Sequence, residues 1–314
     1  MNEISRIVNG EFVRSVAGFR HWVTQDGSSG PTGEGGFKAE AGRYHLYVSY
    51  ACPWANRTLI FRALKGLEDV ISVSVVHPLL ESQGWTFDEY PDATGDQVNN
   101  FSYLYEAYAA STPAYHGSIT VPVLWDKKQK TIVSNESSEI IRMLNSAFND
   151  YAETDVDYYP QALRAEIDAI NDVVYENVNN GVYRAGFARS QAAYERAFDR
   201  LFATLDELEQ RLSSQRYLVG NQITEADWRL FTTLVRFDAV YYNHFKTNKK
   251  RLTEYPNLWA YTRELYQVPG VAKTVNMNHI KYHYFASHRS INPAGIVPKG
   301  PDIDFWIAHG RESL

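Results

Sequence analysis

The hydrophobic pattern of the chain changes its period near residue 150, and this change limits the folds available to it. Before that point short β-type runs alternate with helical runs, whereas after a linker at about 150–160 apolar residues recur only at helical spacing. The pattern predicts an α/β domain followed by an all-α domain. We expect an irregular N-terminal extension at 1–42, the α/β domain at 43–150, the helical domain at 160–290 and a C-terminal tail at 291–314.

The α/β region has the element order of a thioredoxin-like fold. Its first half has the order β-α-β and its second half the order β-β-α. A long aromatic-rich segment from His77 to about Gly117, the excursion, separates the two halves. The predicted bounds are a strand at 44–49, a helix at 53–65, a strand at 70–76, a hairpin of 119–126 with 131–134, and a helix that begins at Glu136 and ends at Phe148.

Cys52 is the only cysteine of the chain and stands between the first predicted strand and the first predicted helix. Because Pro53 suits the first helical position, Cys52 is predicted to be the N-cap, next to unpaired backbone N–H groups. Those donors and the helix dipole favour the reactive thiolate. A lone cysteine is more often a buried, inert hydrophobe, but this context favours a reactive thiol. Since the chain has no second cysteine, a thiol–disulfide cycle needs an external thiol.

Composition excludes several classes of protein. The formal charge of −6 argues against a nucleic acid or an anionic membrane as partner. No apolar run is long enough to span a bilayer, and the first six residues lack the features of a signal peptide. One cysteine rules out an internal disulfide framework, so we expect a reducing cytoplasm. No metal is expected.

Two segments are candidates for ligand binding. Val121-Pro122 opens a strand, where the proline is either an ordinary edge residue or follows a cis peptide bond that leaves the backbone N–H and C=O of Val121 free to pair with an extended ligand. Glu136-Ser137 opens a helix, where backbone N–H groups suit a carboxylate and Glu136 suits an ammonium group. The γ-glutamyl end of glutathione carries both groups on one carbon. The alternative for Glu136-Ser137 is a plain helix cap.

The helical region contains one clear helix start. Thr224 and Asp227 have the spacing of a capping box, with Asp227 in place of the usual Glu or Gln. Ile223 precedes the box and Trp228 follows it, as in a hydrophobic staple. This motif predicts where a helix begins and does not indicate a catalytic or binding role.

Several segments together resemble one family. They are Cys52-Pro53-Trp54-Ala55-Asn56-Arg57-Thr58, Thr120-Val121-Pro122-Val123-Leu124-Trp125-Asp126, Ile132-Val133-Ser134-Asn135-Glu136-Ser137, Gly30-Pro31-Thr32-Gly33, the segment from Asn180 to Ala188, and that from His283 to Pro293. Over nearly its whole length the chain resembles the glutathionyl-hydroquinone reductases, the Xi class of glutathione transferases. The resemblance implies a thioredoxin-like glutathione-binding domain followed by a helical glutathione-transferase C-terminal domain.

The resemblance also implies an activity and a site. Cys52 matches a nucleophile that forms a mixed disulfide with glutathione, the co-substrate, during reduction of aromatic glutathionyl-hydroquinones. Tyr183 matches the proton donor, and Tyr241 and Tyr284 match tyrosines that lower the pKa of the nucleophile. The implied glutathione contacts are Trp85, Ser118, Ile119, Thr120, Val121, Glu136 and Ser137. The resemblance further implies a homodimer.

One departure and two alternatives remain open. Gly117-Ser118 stands where the family has Gly-Arg, which predicts either weaker glutathione binding or a basic residue supplied from elsewhere. An Omega-like thiol transferase or dehydroascorbate reductase would use the same Cys52 mixed disulfide on another acceptor. A non-catalytic transferase-fold scaffold would bind aromatic ligands or a partner protein, with a Cys52 of ordinary reactivity.

Overall fold

The computed structural model describes residues 5–314, which divide into two compact units. The first unit comprises Arg14–Asp157 and Thr274–His283, and the second comprises Ser5–Val13, Tyr158–Lys273 and Tyr284–Leu314. Residues 1–4, the start of the predicted extension, lie outside the described residues. In the part of the chain that is described, no helix is both long and apolar enough to cross a bilayer.

Within residues 5–314 all strands lie before residue 135, and the segment Tyr158–Lys273 of the second unit is helical. The strands are β1 (Ser5–Val8), β2 (Glu11–Arg14), β3 (Tyr44–Val48), β4 (Ser72–Val75), β5 (Val123–Asp126) and β6 (Thr131–Ser134). The α-helices are α1 (Pro53–Leu64), α2 (Tyr105–Ser111), α3 (Ser137–Ser146), α4 (Arg164–Val174), α5 (Gly181–Gly186), α6 (Gln191–Leu212), α7 (Glu225–Leu234), α8 (Tyr242–His244), α9 (Pro256–Gln267) and α10 (Met277–Tyr282). Short 3₁₀ turns lie at Asn149–Tyr151, Gln161–Leu163, Leu252–Glu254 and Ala272–Thr274, and π-helical segments at Tyr175–Asn179, Phe237–Tyr241 and His283–Ser287.

The first unit is built around a four-stranded sheet in the order β4-β3-β5-β6. β3 runs parallel to β4 and antiparallel to β5, and β5 pairs antiparallel with β6. In this register Leu46 lies beside Val73 on one side and Leu124 on the other. All residues of β3 are buried, as expected for a central strand with both faces covered. The predicted thioredoxin-like order is confirmed.

The hairpin before α3 starts later than the sequence predicts. β5 begins at Val123 rather than at Ile119, and the preceding Val121–Pro122 peptide bond is cis. α3 begins at Ser137, with Glu136 as its N-cap. The excursion between the two halves of the sheet also contains α2, a helix that the sequence pattern did not predict.

The N-terminal extension is more regular than predicted. β1 and β2 form a two-stranded sheet around Asn9-Gly10, whose φ angles of 51° and 82° suit a tight hairpin turn. Further along, Arg20 bridges antiparallel to Ser134, and the His21 N–H donates to the Val133 carbonyl at 3.0 Å. The extension therefore covers the open edge of β6, which would otherwise expose unpaired backbone groups.

The second unit packs helices around the long α6, which contacts both α5 and α9. The predicted capping box is confirmed at the start of α7, where the Asp227 carboxylate accepts the Thr224 N–H at 2.7 Å. From His288 to Leu314 the chain forms neither helix nor strand. This tail is nevertheless held in place: Phe305 packs on Tyr266, and the buried Arg311 donates to Glu264.

Candidate active site

Cys52 lies at the N-terminus of α1, where the sequence predicts it. It is the N-cap, with φ −76° and ψ 120°, and Pro53 occupies the first turn of the helix. The Asn56 N–H donates to the Cys52 carbonyl at 3.0 Å, which closes the first helical turn. Cys52 is half-buried. Its side chain therefore sits at the positive end of the α1 dipole.

The Cys52 sulfur faces the backbone of the segment that precedes β5. Its Sγ lies 3.5 Å from the Val121 carbonyl oxygen, so the thiol S–H donates to that carbonyl. Val121 itself is buried. The structure thus brings together two predicted site residues that are 69 positions apart in the sequence.

The residues just before Val121 are fixed by Tyr108 of α2. The Tyr108 hydroxyl accepts the Thr120 N–H at 3.1 Å and donates to the Thr120 carbonyl at 2.8 Å. The Asn135 side-chain amide donates to both the Tyr108 hydroxyl and Thr120 Oγ1, each at 3.2 Å. Burial raises the pKa of Tyr108 to about 12, so this phenol stays protonated. Ser118 and Ile119 are half-buried, and the Ser118 carbonyl accepts from Tyr115 at 3.3 Å.

The N-terminus of α3 is capped by its own sequence. Glu136 Oε1 accepts the Ser138 N–H at 3.0 Å and the Ser138 hydroxyl at 2.8 Å. Ser137 is buried, and its Oγ accepts from the Arg57 guanidinium at 3.4 Å. Arg57 is 1% exposed and stacks over Trp54, with its central carbon 4.5 Å from the ring centroid. A buried cation, which the sequence pattern did not identify as a site residue, thus lies beside the predicted anion site.

A second cation reaches α3 from the N-terminal extension. Arg20 Nε donates to Glu139 Oε2 at 2.7 Å, and the second guanidinium nitrogen pairs with the other carboxylate oxygen. This bidentate ion pair is only partly exposed, and it raises the pKa of Arg20. Thr32, in the Gly30-Pro31-Thr32-Gly33 segment, donates to the Arg20 carbonyl at 2.7 Å. The extension is therefore fastened to the first turn of α3.

Trp85 lies in the excursion and is 6% exposed. Its indole stacks on the imidazole of His283, with ring centroids 5.0 Å apart and planes 23° from parallel. The Trp85 carbonyl accepts the Leu104 N–H at 3.0 Å. His283 lies in one of the segments that resemble the family, but the sequence did not predict a role for it.

The three predicted tyrosines form one hydrogen-bonded cluster in the second unit. The Tyr183 and Tyr284 hydroxyl oxygens are 2.5 Å apart, and those of Tyr241 and Tyr284 are 3.0 Å apart. Tyr241 and Tyr284 are at most 1% exposed, whereas Tyr183 is half-buried. Tyr284 is therefore the central member, and Tyr183 is the member nearest to solvent.

Each tyrosine of the cluster lies in or near a π-helical segment. Tyr241 closes the segment Phe237–Tyr241, Tyr284 is the second residue of His283–Ser287, and Tyr183 follows shortly after Tyr175–Asn179. A π-helical turn inserts an extra residue and redirects the side chains that follow it, and such turns occur often at functional sites. These local distortions explain how three separate helices point phenols at one another.

Aromatic rings surround the cluster. Phe245 lies 5.4 Å from the ring centroid of Tyr183 and 5.6 Å from that of Tyr284, and Phe12 stacks on Tyr183 at 6.0 Å. Burial in this apolar setting, reinforced by the neighbouring phenols, raises the pKa of Tyr284 well above the ordinary value for tyrosine. Tyr284 thus remains a neutral hydrogen-bond donor at physiological pH. The predicted effect of Tyr241 and Tyr284 on the Cys52 pKa stays a prediction.

Among residues 5–314 no cluster of three His, Cys, Asp or Glu side chains is arranged to hold a metal ion. The first unit presents one thiol with backbone donors and acceptors, and the second unit presents three phenols. This set is suited to thiol–disulfide exchange and proton transfer.

Comparisons with known proteins show the family of the chain. The model of the glutathione S-transferase N-terminal domain matches residues 51–147, and that of the glutathione S-transferase C-terminal domain matches residues 191–264. The chain is 57% identical to glutathionyl-hydroquinone reductase YqjG of Escherichia coli (strain K12), over 98% of this chain and 94% of that protein.

Solved structures give the same result. The glutathione-bound structure of YqjG, a glutathione transferase homolog from Escherichia coli K-12, matches with a TM-score of 0.93 at 58% identity and covers 94% of this chain and 96% of that one. The glutathione-S-transferase Xi from Phanerochaete chrysosporium matches with a TM-score of 0.89 at 53% identity, over 93% of each chain. The chain belongs to the glutathionyl-hydroquinone reductases, the Xi class of glutathione transferases.

Proposed function

We propose that this chain reduces glutathionyl-hydroquinones to hydroquinones, with glutathione as co-substrate and Cys52 as nucleophile. The observation that carries the proposal is the half-buried Cys52 thiol at the N-cap of α1, 3.5 Å from the Val121 carbonyl. The name of the Escherichia coli relative supports the substrate class, and its glutathione-bound structure supports the ligand.

Glutathione binding and thiol activation are coupled at the Val121 carbonyl. Without ligand, this carbonyl accepts the Cys52 S–H and thereby favours the protonated thiol. An amide N–H of the tripeptide is a stronger donor than the thiol, and when it binds the same carbonyl it competes with the S–H and weakens that bond. The N–H groups and dipole of α1 then favour the thiolate. Substrate binding itself thus promotes ionisation of the nucleophile.

The γ-glutamyl end of glutathione is assigned to the start of α3. Its carboxylate suits the helix N-terminus and the Ser137 hydroxyl, and its ammonium group suits the Glu136 carboxylate. Arg57, 3.4 Å from Ser137 Oγ, adds positive charge beneath this end of the ligand. Trp85 and the backbone from Ser118 to Val121 complete the proposed contacts.

In the first stage the Cys52 thiolate attacks the glutathione sulfur of the conjugate. A sulfur–sulfur bond forms as the bond between sulfur and the aromatic carbon breaks, and the electron pair stays on that carbon. The carbon must be protonated as it leaves, and we assign this general-acid step to Tyr183, the half-buried member of the tyrosine cluster. Tyr284 donates to the phenolate that Tyr183 becomes. The products are the hydroquinone and a Cys52–glutathione mixed disulfide.

In the second stage a further glutathione resolves the mixed disulfide. Its thiolate attacks the glutathione sulfur, releases oxidised glutathione and restores the Cys52 thiolate. The proton lost by this second glutathione returns to Tyr183. The cycle converts one conjugate and one glutathione into one hydroquinone and one oxidised glutathione, and it needs a single enzyme cysteine, as the chain has.

The proposal is tested by intact-mass spectrometry after incubation with glutathionyl-menadiol and no free glutathione. The expected result is one glutathione added per chain, absent from the Cys52→Ser variant and removed when glutathione is supplied. Menadiol should appear in equal amount. An unmodified protein that still produces menadiol would contradict the mechanism.

A paired assay separates this activity from that of an Omega-like thiol transferase. Initial rates with glutathionyl-menadiol and with dehydroascorbate are measured under the same glutathione concentration. The proposal expects the conjugate to be the preferred substrate. Preference for dehydroascorbate would assign the Cys52 mixed disulfide to the other reaction.

We also propose that the protein is a cytoplasmic homodimer. The single cysteine suits a reducing compartment, and the family resemblance supports the dimer. Light scattering on the purified protein at several concentrations tests the assembly, and a monomeric mass throughout would contradict it. Fractionation of cells tests the location.

A further inference from the structure

The backbone around Trp85 is well fixed, whereas its side chain needs a separate support. The Trp85 carbonyl accepts from Leu104, the Thr86 carbonyl accepts the His77 N–H at 2.9 Å, and the Phe87 N–H donates to the Ser102 carbonyl at 2.9 Å. These bonds set the path of the chain on both sides of the residue. They do not determine the two side-chain torsions that orient the indole.

His283 supplies that support. Its ring stacks on the indole at 5.0 Å, and both side chains are buried, at 8% and 6% exposure. Its Nδ1 lies 2.8 Å from the carbonyl oxygen of Pro78. Because a carbonyl only accepts, Nδ1 carries the proton, and this bond fixes the plane of the imidazole. Pro78 belongs to the same excursion as Trp85, so the imidazole is tied to the segment that it supports.

The segment that carries His283 is itself firmly attached to the excursion. Asn276, the N-cap of α10, donates to the Asp92 carboxylate at 2.8 Å, and Tyr282 stacks on Tyr90 at 5.1 Å. His279 contacts the Pro91 carbonyl at 2.5 Å. Residues 276–283 are therefore attached to the excursion at several points, and among them His283 is the residue that stacks on the Trp85 ring.

We propose that His283 is a positioning residue for glutathione: it holds the Trp85 indole in the orientation that the ligand meets. The inference rests on the proposed function, in which Trp85 contacts glutathione. A preoriented indole avoids the entropy loss of ordering a free side chain on binding. The stacked pair is the means, since such pairs have a preferred geometry and measurable strength.

The test is glutathione affinity, measured by calorimetry for the unmodified protein and four variants. His283→Ala should weaken binding by about three- to tenfold, the range expected for loss of an aromatic pair. His283→Phe keeps a ring to stack and should stay within about twofold of the unmodified protein, whereas His283→Gln keeps a hydrogen-bond donor but no ring and should behave as His283→Ala. Asn276→Ala is the matched control: it removes the N-cap of α10 and the bond to Asp92 but leaves the stack of His283 on Trp85, so it should lose clearly less affinity than His283→Ala.

A double-mutant cycle then tests the route. In the Trp85→Ala background the further change His283→Ala should have no effect, because the side chain that it positions is gone. Additive effects of the two substitutions, or equal losses in His283→Ala and Asn276→Ala, would overturn the inference. At saturating glutathionyl-menadiol and glutathione the kcat of His283→Ala should be unchanged, with the effect confined to the KM for the conjugate, whose glutathionyl end meets Trp85.

This outcome is separable from that of the proposed function. Glutathione affinity is measured without turnover, so the role of His283 is tested by affinity alone. Failure of the unmodified protein to convert glutathionyl-menadiol would contradict the reductase reaction. Unchanged affinity in Trp85→Ala would contradict the Trp85 contact and, with it, the role of His283.

Discussion

The two units of this protein present reactive groups in different ways. In the first unit one thiol is placed by backbone geometry, at the N-cap of α1 and opposite the carbonyl of Val121. In the second unit three phenols from separate helices meet through their hydroxyls, and π-helical segments orient them. The N-cap position of the thiol depends on a few adjacent residues, whereas the side-chain cluster depends on the packing of the whole unit.

This contrast predicts different responses to substitution. A site centred on one nucleophile should fail completely when that atom is removed. In a cluster of three hydroxyls, each substitution should lower kcat by a different amount, and the loss should be larger for a phenol closer to the reacting carbon. The two units should also differ in how their stability responds to pH and to loss of a local motif.

The largest expected effect is at Cys52. Cys52→Ser should lower kcat with glutathionyl-menadiol by more than about a thousandfold, because the hydroxyl is not a comparable nucleophile or leaving group. Glutathione affinity by calorimetry should change little, since the ligand contacts remain. Residual turnover above a hundredth of the normal rate would show that the first unit does not rely on one atom.

The next effect concerns stability of the first unit. His45 is fully buried in β3, between the Ser72 and Ser74 hydroxyls at 2.7 and 2.8 Å. Burial lowers the pKa of His45 to about 4 from 6.5. The unfolded chain binds a proton at His45 more readily than the folded protein does. The contribution of His45 to the free energy of unfolding is therefore complete above pH 6.5, and about 3 kcal/mol of it is lost as the pH falls towards 4.

Urea unfolding between pH 7.5 and 4 measures this loss. His45→Gln, which keeps polar groups but does not titrate, is the control and should lose about 3 kcal/mol less over the same range. Parallel curves for the two proteins would mean that His45 does not set the acid sensitivity. Tyr284 in the second unit is neutral throughout this range, as an ordinary tyrosine also is, and therefore adds nothing to this pH dependence.

Substitutions in the tyrosine cluster should lower kcat by different amounts. Tyr183→Phe should lower kcat by about a hundredfold, as expected for loss of a general acid. Tyr284→Phe should lower kcat about five- to tenfold through the loss of one hydrogen bond to the donor, and Tyr241→Phe should lower it less, because its hydroxyl acts on Tyr183 through Tyr284. Steady-state rates with glutathionyl-menadiol check the order. Equal losses in all three variants would indicate a single cooperative unit instead.

The smallest effect is at the start of α7. Thr224→Ala should lower the free energy of unfolding by about 1 kcal/mol through loss of the cap, while Thr224→Ser should restore most of it. Neither should change kcat, since the capping box lies in the second unit without belonging to the tyrosine cluster. A fall in kcat for Thr224→Ala alone would show that a local motif does tune the cluster.

Local signals predicted much of the first unit. Cys52-Pro53 marked the N-cap, and the alternation of strand and helix gave the thioredoxin-like order. The errors have identifiable causes. Asn9-Gly10 is a hairpin turn signal, and the prediction of an irregular extension gives it no weight, although β1 and β2 pair around it. α2 is short and lies in an aromatic-rich stretch, where its helical period is hard to recognise.

The partners of the site residues were not predictable in the same way. Nothing in the sequence near Trp85 indicates that His283, almost 200 positions later, stacks on it. Arg57 sits inside a helix where a solvent-facing arginine would be the default, yet it is buried against Trp54 and Ser137. Both contacts depend on which surfaces meet in the folded unit.

By itself the sequence determined the class of fold and the position of Cys52 at the start of a helix, because hydrophobic period and helix capping are encoded within a few adjacent residues. The tertiary structure alone decided that Tyr284 stands between Tyr183 and Tyr241, that Val121 faces Cys52 and that His283 lies under Trp85. Contacts between residues far apart in the chain follow from packing of whole elements, which no short segment specifies.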